Sequence, residues 1–100
     1  MSAYVFSPAA RADLEEIWNY SVEQWGAERA ETYILQIRDA CEALAGGKKK
    51  GRAIDGIRPG YLKLAAGSHF LFFRIGNGGV IDVVRILHQR MDVSAHLNEP

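Results

Sequence analysis

Phe70-Leu71-Phe72-Phe73-Arg74-Ile75, then Gly76-Asn77-Gly78-Gly79, then Val80-Ile81-Asp82-Val83-Val84-Arg85-Ile86-Leu87-His88 is the stretch whose reading decides the fold. Two runs rich in β-branched and aromatic residues flank a Gly/Asn cluster. Gly and Asn tolerate the positive φ angles that a tight strand reversal demands, so the stretch predicts a β-hairpin. Neither run alternates cleanly between apolar and polar residues. Both strands are therefore expected at the centre of a sheet, with apolar contact on both faces. A plain two-layer domain would turn one polar sheet face to water, and this hairpin does not supply one.

Working outward, Ala66-Gly67 turns the chain into the hairpin from Tyr61-Leu62-Lys63-Leu64-Ala65, which alternates and predicts a strand with Leu62 and Leu64 inward. Lys48-Lys49-Lys50-Gly51-Arg52 reads as a solvated basic loop, continued from Ala53 through Arg58-Pro59-Gly60. Near the start, Ala3-Tyr4-Val5-Phe6 predicts a short strand. Ser7-Pro8 then opens a helix, because Ser is a preferred N-cap and Pro is preset for the first turn. Leu14, Ile17, Trp18, Val22 and Trp25 recur at helical spacing, with Arg11, Asp13, Glu15 and Glu16 mostly off that stripe. Gly26 ends the helix. Ala30, Tyr33, Ile34, Ile37, Cys41 and Leu44 form a second stripe that stops at Gly46-Gly47. So short a connection makes the two helices an antiparallel hairpin. Gln89 to Leu97 predicts a short terminal helix or tail. The order β-α-α-β-β-β defines an α+β domain, a helical hairpin on one face of a small, mostly antiparallel sheet.

The 100 residues are expected to form one domain over 1–100, which buries roughly two thirds of its unfolded surface without staples. Apolar content of 48% and charged content of 24% place it among ordinary globular proteins. No apolar run nears the ~20 residues of a membrane span, and Met1 to Phe6 is too short for a signal peptide. The single Cys41 cannot form an internal disulfide, and the expected location is the cytoplasm. With 12 basic and 12 acidic residues the chain is neutral. Neutrality favours a protein partner over nucleic-acid phosphates, while leaving room for a local basic site.

Strand alternation puts Phe70, Phe72 and Arg74 on one face and Ile81, Val83, Arg85 and Leu87 on one face of the next strand. Whichever face the helices cover, the other stays heavily apolar. It is either hidden by the tail or an interaction surface. His69, His88 and His96 lack metal-ligand spacing, and one cysteine without CxxC excludes the familiar zinc arrangements. No metal or other cofactor is expected. Cys41, on the inner helical stripe, reads as a small hydrophobe. Glu15, Glu16, Glu28 and Glu31 read as solvated charges. The Gly76–Gly79 cluster lacks the Lys and helix that phosphate cradling requires. One constellation, Arg58, Arg74, Arg85, His88 and Arg90, admits two readings. Converging arginines with a histidine acid or base would suit a small ribonuclease. Alternatively Arg74 and Arg85 pair with carboxylates such as Asp82 or Asp92, and His88 caps or packs.

Three segments carry a family resemblance: Ser7-Pro8-Ala9-Ala10-Arg11-Ala12-Asp13-Leu14-Glu15-Glu16-Ile17-Trp18-Asn19-Tyr20; Arg58-Pro59-Gly60-Tyr61 with Gly67-Ser68-His69; and Val84-Arg85-Ile86-Leu87-His88-Gln89-Arg90-Met91-Asp92. The chain resembles, over nearly its whole length, the ParE toxins of the RelE/ParE superfamily of bacterial type II toxin–antitoxin systems. The resemblance implies the same β-α-α-β-β-β fold and a toxin that inhibits DNA gyrase by binding, without being a nuclease. It also implies a ParD-like antitoxin whose flexible C-terminal part folds onto the toxin, with DNA reached only through that antitoxin. Expected target-binding residues are Arg85, His88, Arg90, Met91 and Asp92. Trp18, Trp25 and Tyr33 are the expected aromatic anchors for the antitoxin. RelE-like relatives instead cut mRNA on the ribosome with several basic residues and often a tyrosine near the end of the last strand. Here no tyrosine follows Tyr61 and His88 stands at that end, which with neutrality counts against cleavage. The rival reading, an mRNA interferase, would use Arg74, Arg85 and His88.

Overall fold

The computed structural model describes residues 3–91 and 93–97, so the expected contribution of Asp92 lies outside the described residues. Strand β1 (Tyr4–Phe6) leads into helix α1 (Pro8–Trp25), and helix α2 (Ala27–Ala45) follows after Gly26 alone. Gly26 adopts φ 89° and ψ 165°, a conformation reserved for glycine, and this lets one residue end α1 and begin α2. Ser7 caps α1: its Oγ accepts from the Ala10 N–H at 3.0 Å, and Pro8 holds the first helical position.

The remainder is sheet. Strands β2 (Arg52–Ala53), β3 (Leu62–Ala66), β4 (His69–Ile75) and β5 (Ile81–His88) precede a short helix α3 (Val93–Leu97). The order across the sheet is β1-β5-β4-β3-β2, antiparallel throughout except that β1 runs parallel to β5. The two strands of the central hairpin are thus interior, as their doubly apolar pattern requires. Two elements differ from the sequence reading. The basic loop contains the two-residue strand β2, too short to carry any periodic signal. The Gly76–Gly79 reversal includes a 3-10 turn over Asn77–Gly79 with positive φ at Gly78 and Gly79.

The decisive irregularity is a bulge. Phe72 pairs with Arg85 but Phe73 pairs with Val83, so Val84 is an extra residue in β5. Strict alternation would have kept Ile81, Val83, Arg85 and Leu87 on one face. The bulge instead leaves Ile81, Val83 and Ile86 against the helices, while Val84 and Leu87 join the other face. Two cores result. One joins Ile17, Ile37, Cys41 and Leu44 of the helices to Leu71, Phe73, Ile81, Val83 and Ile86. The second, on the opposite face, gathers Ile54, Phe72, Leu87 and Leu97, with Tyr61, Phe70, Val84 and Val93 at its margin. Helix α3 and the 54–61 loop therefore cover the apolar face left open by the helical hairpin. The Arg58 guanidinium donates to the Leu97 carbonyl at the end of α3 and lies 4.8 Å over the Tyr61 ring.

Helix α1 meets the sheet differently from its expected stripe. Its buried residues are Ala10, Asp13, Ile17 and Ser21, whereas Trp18 and Trp25 are exposed. Small side chains let α1 approach β5 closely, and the large rings are displaced to the flanks. Among the described residues, no helix is long and apolar enough to cross a membrane.

Candidate functional site

Strand β1 covers only Ile81 to Val83 of its neighbour, so the rest of that β5 edge needs other hydrogen-bond partners. The start of α1 supplies them. The Ser7 N–H donates to the Val83 carbonyl at 2.9 Å and the Ser7 hydroxyl to the Val84 carbonyl at 2.8 Å. Six residues later the Asp13 carboxylate accepts the Ile86 N–H at 2.9 Å. The same carboxylate takes a bidentate pair from Arg85, Nε to Oδ2 at 2.8 Å and Nη2 to Oδ1 at 2.9 Å. Asp13 is only 7% exposed, so this pair is shielded from water, and loss of either partner is costlier than at a surface ion pair. Sequence reading assigned Asp13 to the solvated face. The signal that could have found it is an acid at helical spacing between Ala10 and Ile17, matched by a lone arginine in an apolar strand.

Above this pair opens a cleft of about 530 Å³. Its walls are the second half of α1 with Ile17, Tyr20, Ser21 and Trp25, Tyr33 of α2, the β3–β4 turn at Ser68-His69, and the end of β5 from Arg85 to His88. Met91 and His96 close one side. A row of rings lines it. Centroids lie 6.3 Å apart for Tyr20–Trp25, 6.3 Å for Trp25–Tyr33, 5.6 Å for Tyr33–His69 and 5.2 Å for His69–His88.

Polar contacts hold the row in place. The Tyr33 hydroxyl accepts from the Ser68 N–H at 2.9 Å and stands 2.6 Å from His69 Nδ1. Every proton is used when Tyr33 donates to Nδ1, which leaves the neutral His69 protonated at Nε2. Burial, followed by the neighbouring His88, lowers the pKa of His69 from its ordinary value and so favours this neutral form. Gly67 makes the close approach possible. Its φ is +61°, and a Cβ there would lie 2.5 Å from Tyr33 Cε1. Gln89 ties the turn to the end of β5, through its N–H to the Ser68 carbonyl at 3.0 Å and its side chain to the Gly67 carbonyl at 3.2 Å. His88 Nδ1 accepts the Arg90 N–H at 3.2 Å.

The structure thus brings Arg85, His88 and Met91 into one cleft with Trp25 and Tyr33. Arg90 is exposed beside it, and Trp18 does not line it. Arg74 stands elsewhere: it pairs with Asp82 at 3.0 Å beside the Gly76–Gly79 turn. Five strand residues, about 17 Å at a rise of ~3.3 Å each, separate it from His69, the partner of His88. Arg74, Arg85 and His88 therefore do not converge on one groove. Arg58 faces the second core. The Cys41 thiol is fully buried and its pKa is pushed up to about 12, chiefly by burial, which makes it a core residue without nucleophilic character.

The whole arrangement matches known proteins. The family model for the ParE toxin of the type II toxin-antitoxin system, parDE, matches residues 4–93. Toxin ParE1 of Mycobacterium tuberculosis is 53% identical over 96 residues, spanning 96% of this chain and 98% of the relative. Toxin ParE1 of Caulobacter vibrioides is 38% identical over 97 residues, spanning 97% and 99%. A solved structure described as the chromosomal ParDE TA system from P. aeruginosa superposes with a TM-score of 0.74 at 25% identity, covering 88% of this chain and 96% of that one. Fold and sequence together define a toxin of a type II toxin–antitoxin system. Within that class, the chain belongs to the ParE toxin family. This is a non-enzymatic class of toxin.

Proposed function

We propose that this protein inhibits DNA gyrase by binding and is neutralised by a cognate ParD-like antitoxin, both acting in the cytoplasm. The observation that carries the reading is the family match across 4–93, which includes every wall of the cleft except His96. The target surface is the end of β5 and the residues after it: Arg85, His88, Arg90, Met91 and Asp92. The antitoxin docks through the aromatic rim, with Trp25 and Tyr33 as anchors and Trp18 on the adjoining face of α1. Trp25 is 51% exposed, a large ring whose burial by a partner would be strongly favourable. Coupled folding of a flexible antitoxin segment over such a surface gains area at the expense of ordering entropy.

A gyrase supercoiling and cleavage assay with purified toxin tests the reading. Inhibition or trapped DNA breaks, reversed by the antitoxin, is the expected result. No effect at excess toxin would remove gyrase as the target. Ribosome-dependent mRNA cleavage that falls roughly a hundredfold in His88→Ala would establish the interferase instead.

A further inference from the structure

The neutral total conceals a strong separation of charge. Helices α1 and α2 carry eight carboxylates against Arg11, Arg29 and Arg38, a net charge of −5. The segment from Lys48 to Lys63 carries six cations against Asp55 alone, a net charge of +5. The basic segment builds the outer edge of the sheet, three strands away from β5 and apart from the cleft. Lys48, Lys49 and Lys50 are exposed and lead into β2, where exposed Arg52 stands directly opposite Lys63. Cross-strand neighbours share a face, and like charges placed so are destabilising. Among the described residues, no carboxylate forms an ion pair with any of these five cations; the ion pairs belong to Arg38, Arg74 and Arg85. The end of α2, where the Lys48 and Lys49 N–H groups close on the Ala43 carbonyl, attracts a cation or two through the helix dipole. It does not account for Arg52 against Lys63.

We propose that this β2 edge docks directly on the phosphate backbone of duplex nucleic acid, contacted by the toxin chain itself and not only through an antitoxin. Phosphate binding requires clustered cations and little else, whereas a peptide partner requires a cluster of apolar anchors, and among the described residues of this segment Ile57 alone is a large exposed hydrophobic side chain. A single strand would need stacking platforms. The nearby rings are taken, Tyr61 by Arg58 and Phe70 by the Lys63 ammonium at 4.4 Å. The acidic helices are repelled by the same polyanion, so the charge separation also sets which side of the toxin faces the duplex.

The test is fluorescence anisotropy of a labelled duplex of about 20 base pairs and arbitrary sequence, titrated with the full toxin chain without antitoxin. With some five phosphates engaged, affinity should fall several hundredfold between about 50 and 200 mM salt. Replacing Lys48, Lys49 and Lys50 together by Gln should flatten the salt slope by about three, and Arg52→Gln alone by about one. Replacing Arg11, Arg29 and Arg38 together by Gln removes the same net charge from the acidic hairpin and should leave the slope unchanged. Circular dichroism verifies that each variant is folded. Absence of binding at the lower salt, or equal losses in the two triple variants, overturns the proposal. Equally tight binding of an oligoglutamate peptide would assign the edge to an acidic protein partner and overturn it as well.

Discussion

Asp13 joins helix to sheet at a single side chain, because it both replaces the missing β1 partner of Ile86 and neutralises Arg85. Asp13→Ala would remove the bidentate carboxylate from Arg85 and the acceptor from a strand N–H, at a cost of about 3 kcal/mol. Urea unfolding should register this as a lower midpoint, and a loss below about 1 kcal/mol would show the pair to be dispensable. Combining it with Arg85→Met should recover part of the loss by removing the charge that Asp13 neutralises. His69 makes a second prediction. Its pKa in the fold lies below the ordinary 6.5, so between these values the unfolded chain binds more protons than the native one. Its contribution to stability is fully present above pH 6.5 and is lost as pH falls through the folded-state value. Thermal unfolding followed from pH 7.5 to 5.5 should show a decline that is shallower in His69→Gln. An equal decline in both proteins would exclude His69 as its source.

At the scale of elements, α3 is the instructive case. Five residues are too few to form a stable helix in water, so packing must hold it. Leu97, 3% exposed, supplies that packing against Phe72 and Leu87, and the Arg58 bond to the Leu97 carbonyl closes its end. Leu97→Ala should cost about 2–3 kcal/mol and uncover the second core. Enhanced binding of a hydrophobic dye, with the helical hairpin still intact by circular dichroism, is the expected signature. A melting temperature within a degree of the parent would mean that α3 does not cover this face. The β5 bulge is the other instructive element. Its extra residue lets one strand feed two cores.

For the whole molecule, the proposed antitoxin surface is the set of exposed rings beside the cleft. Calorimetric titration with the antitoxin should show a markedly negative heat-capacity change, the sign of apolar burial. Trp25→Ala, within the ring row, should weaken binding at least about tenfold, or ~1.4 kcal/mol. Trp18→Ala, outside the cleft lining, should cost less. Equal effects of the two substitutions would detach the antitoxin surface from the cleft.

Local chemistry is written into the chain directly. The hairpin follows from β-branched runs around glycines, the start of α1 from Ser7-Pro8, and the helical hairpin from Gly26, because each depends on neighbours in sequence. The doubly apolar pattern of β4 and β5 already required cover on both faces of the sheet. Long-range register is different. The bulge at Val84, the two-residue β2, the burial of Asp13 and the ring row from Tyr20 to His88 each depend on segments distant in the chain. A carboxylate reads as solvated until an arginine 72 positions away is seen to reach it. Only the tertiary structure decides which side chains meet, because burial and pairing are set by packing and not by the residue's own preference.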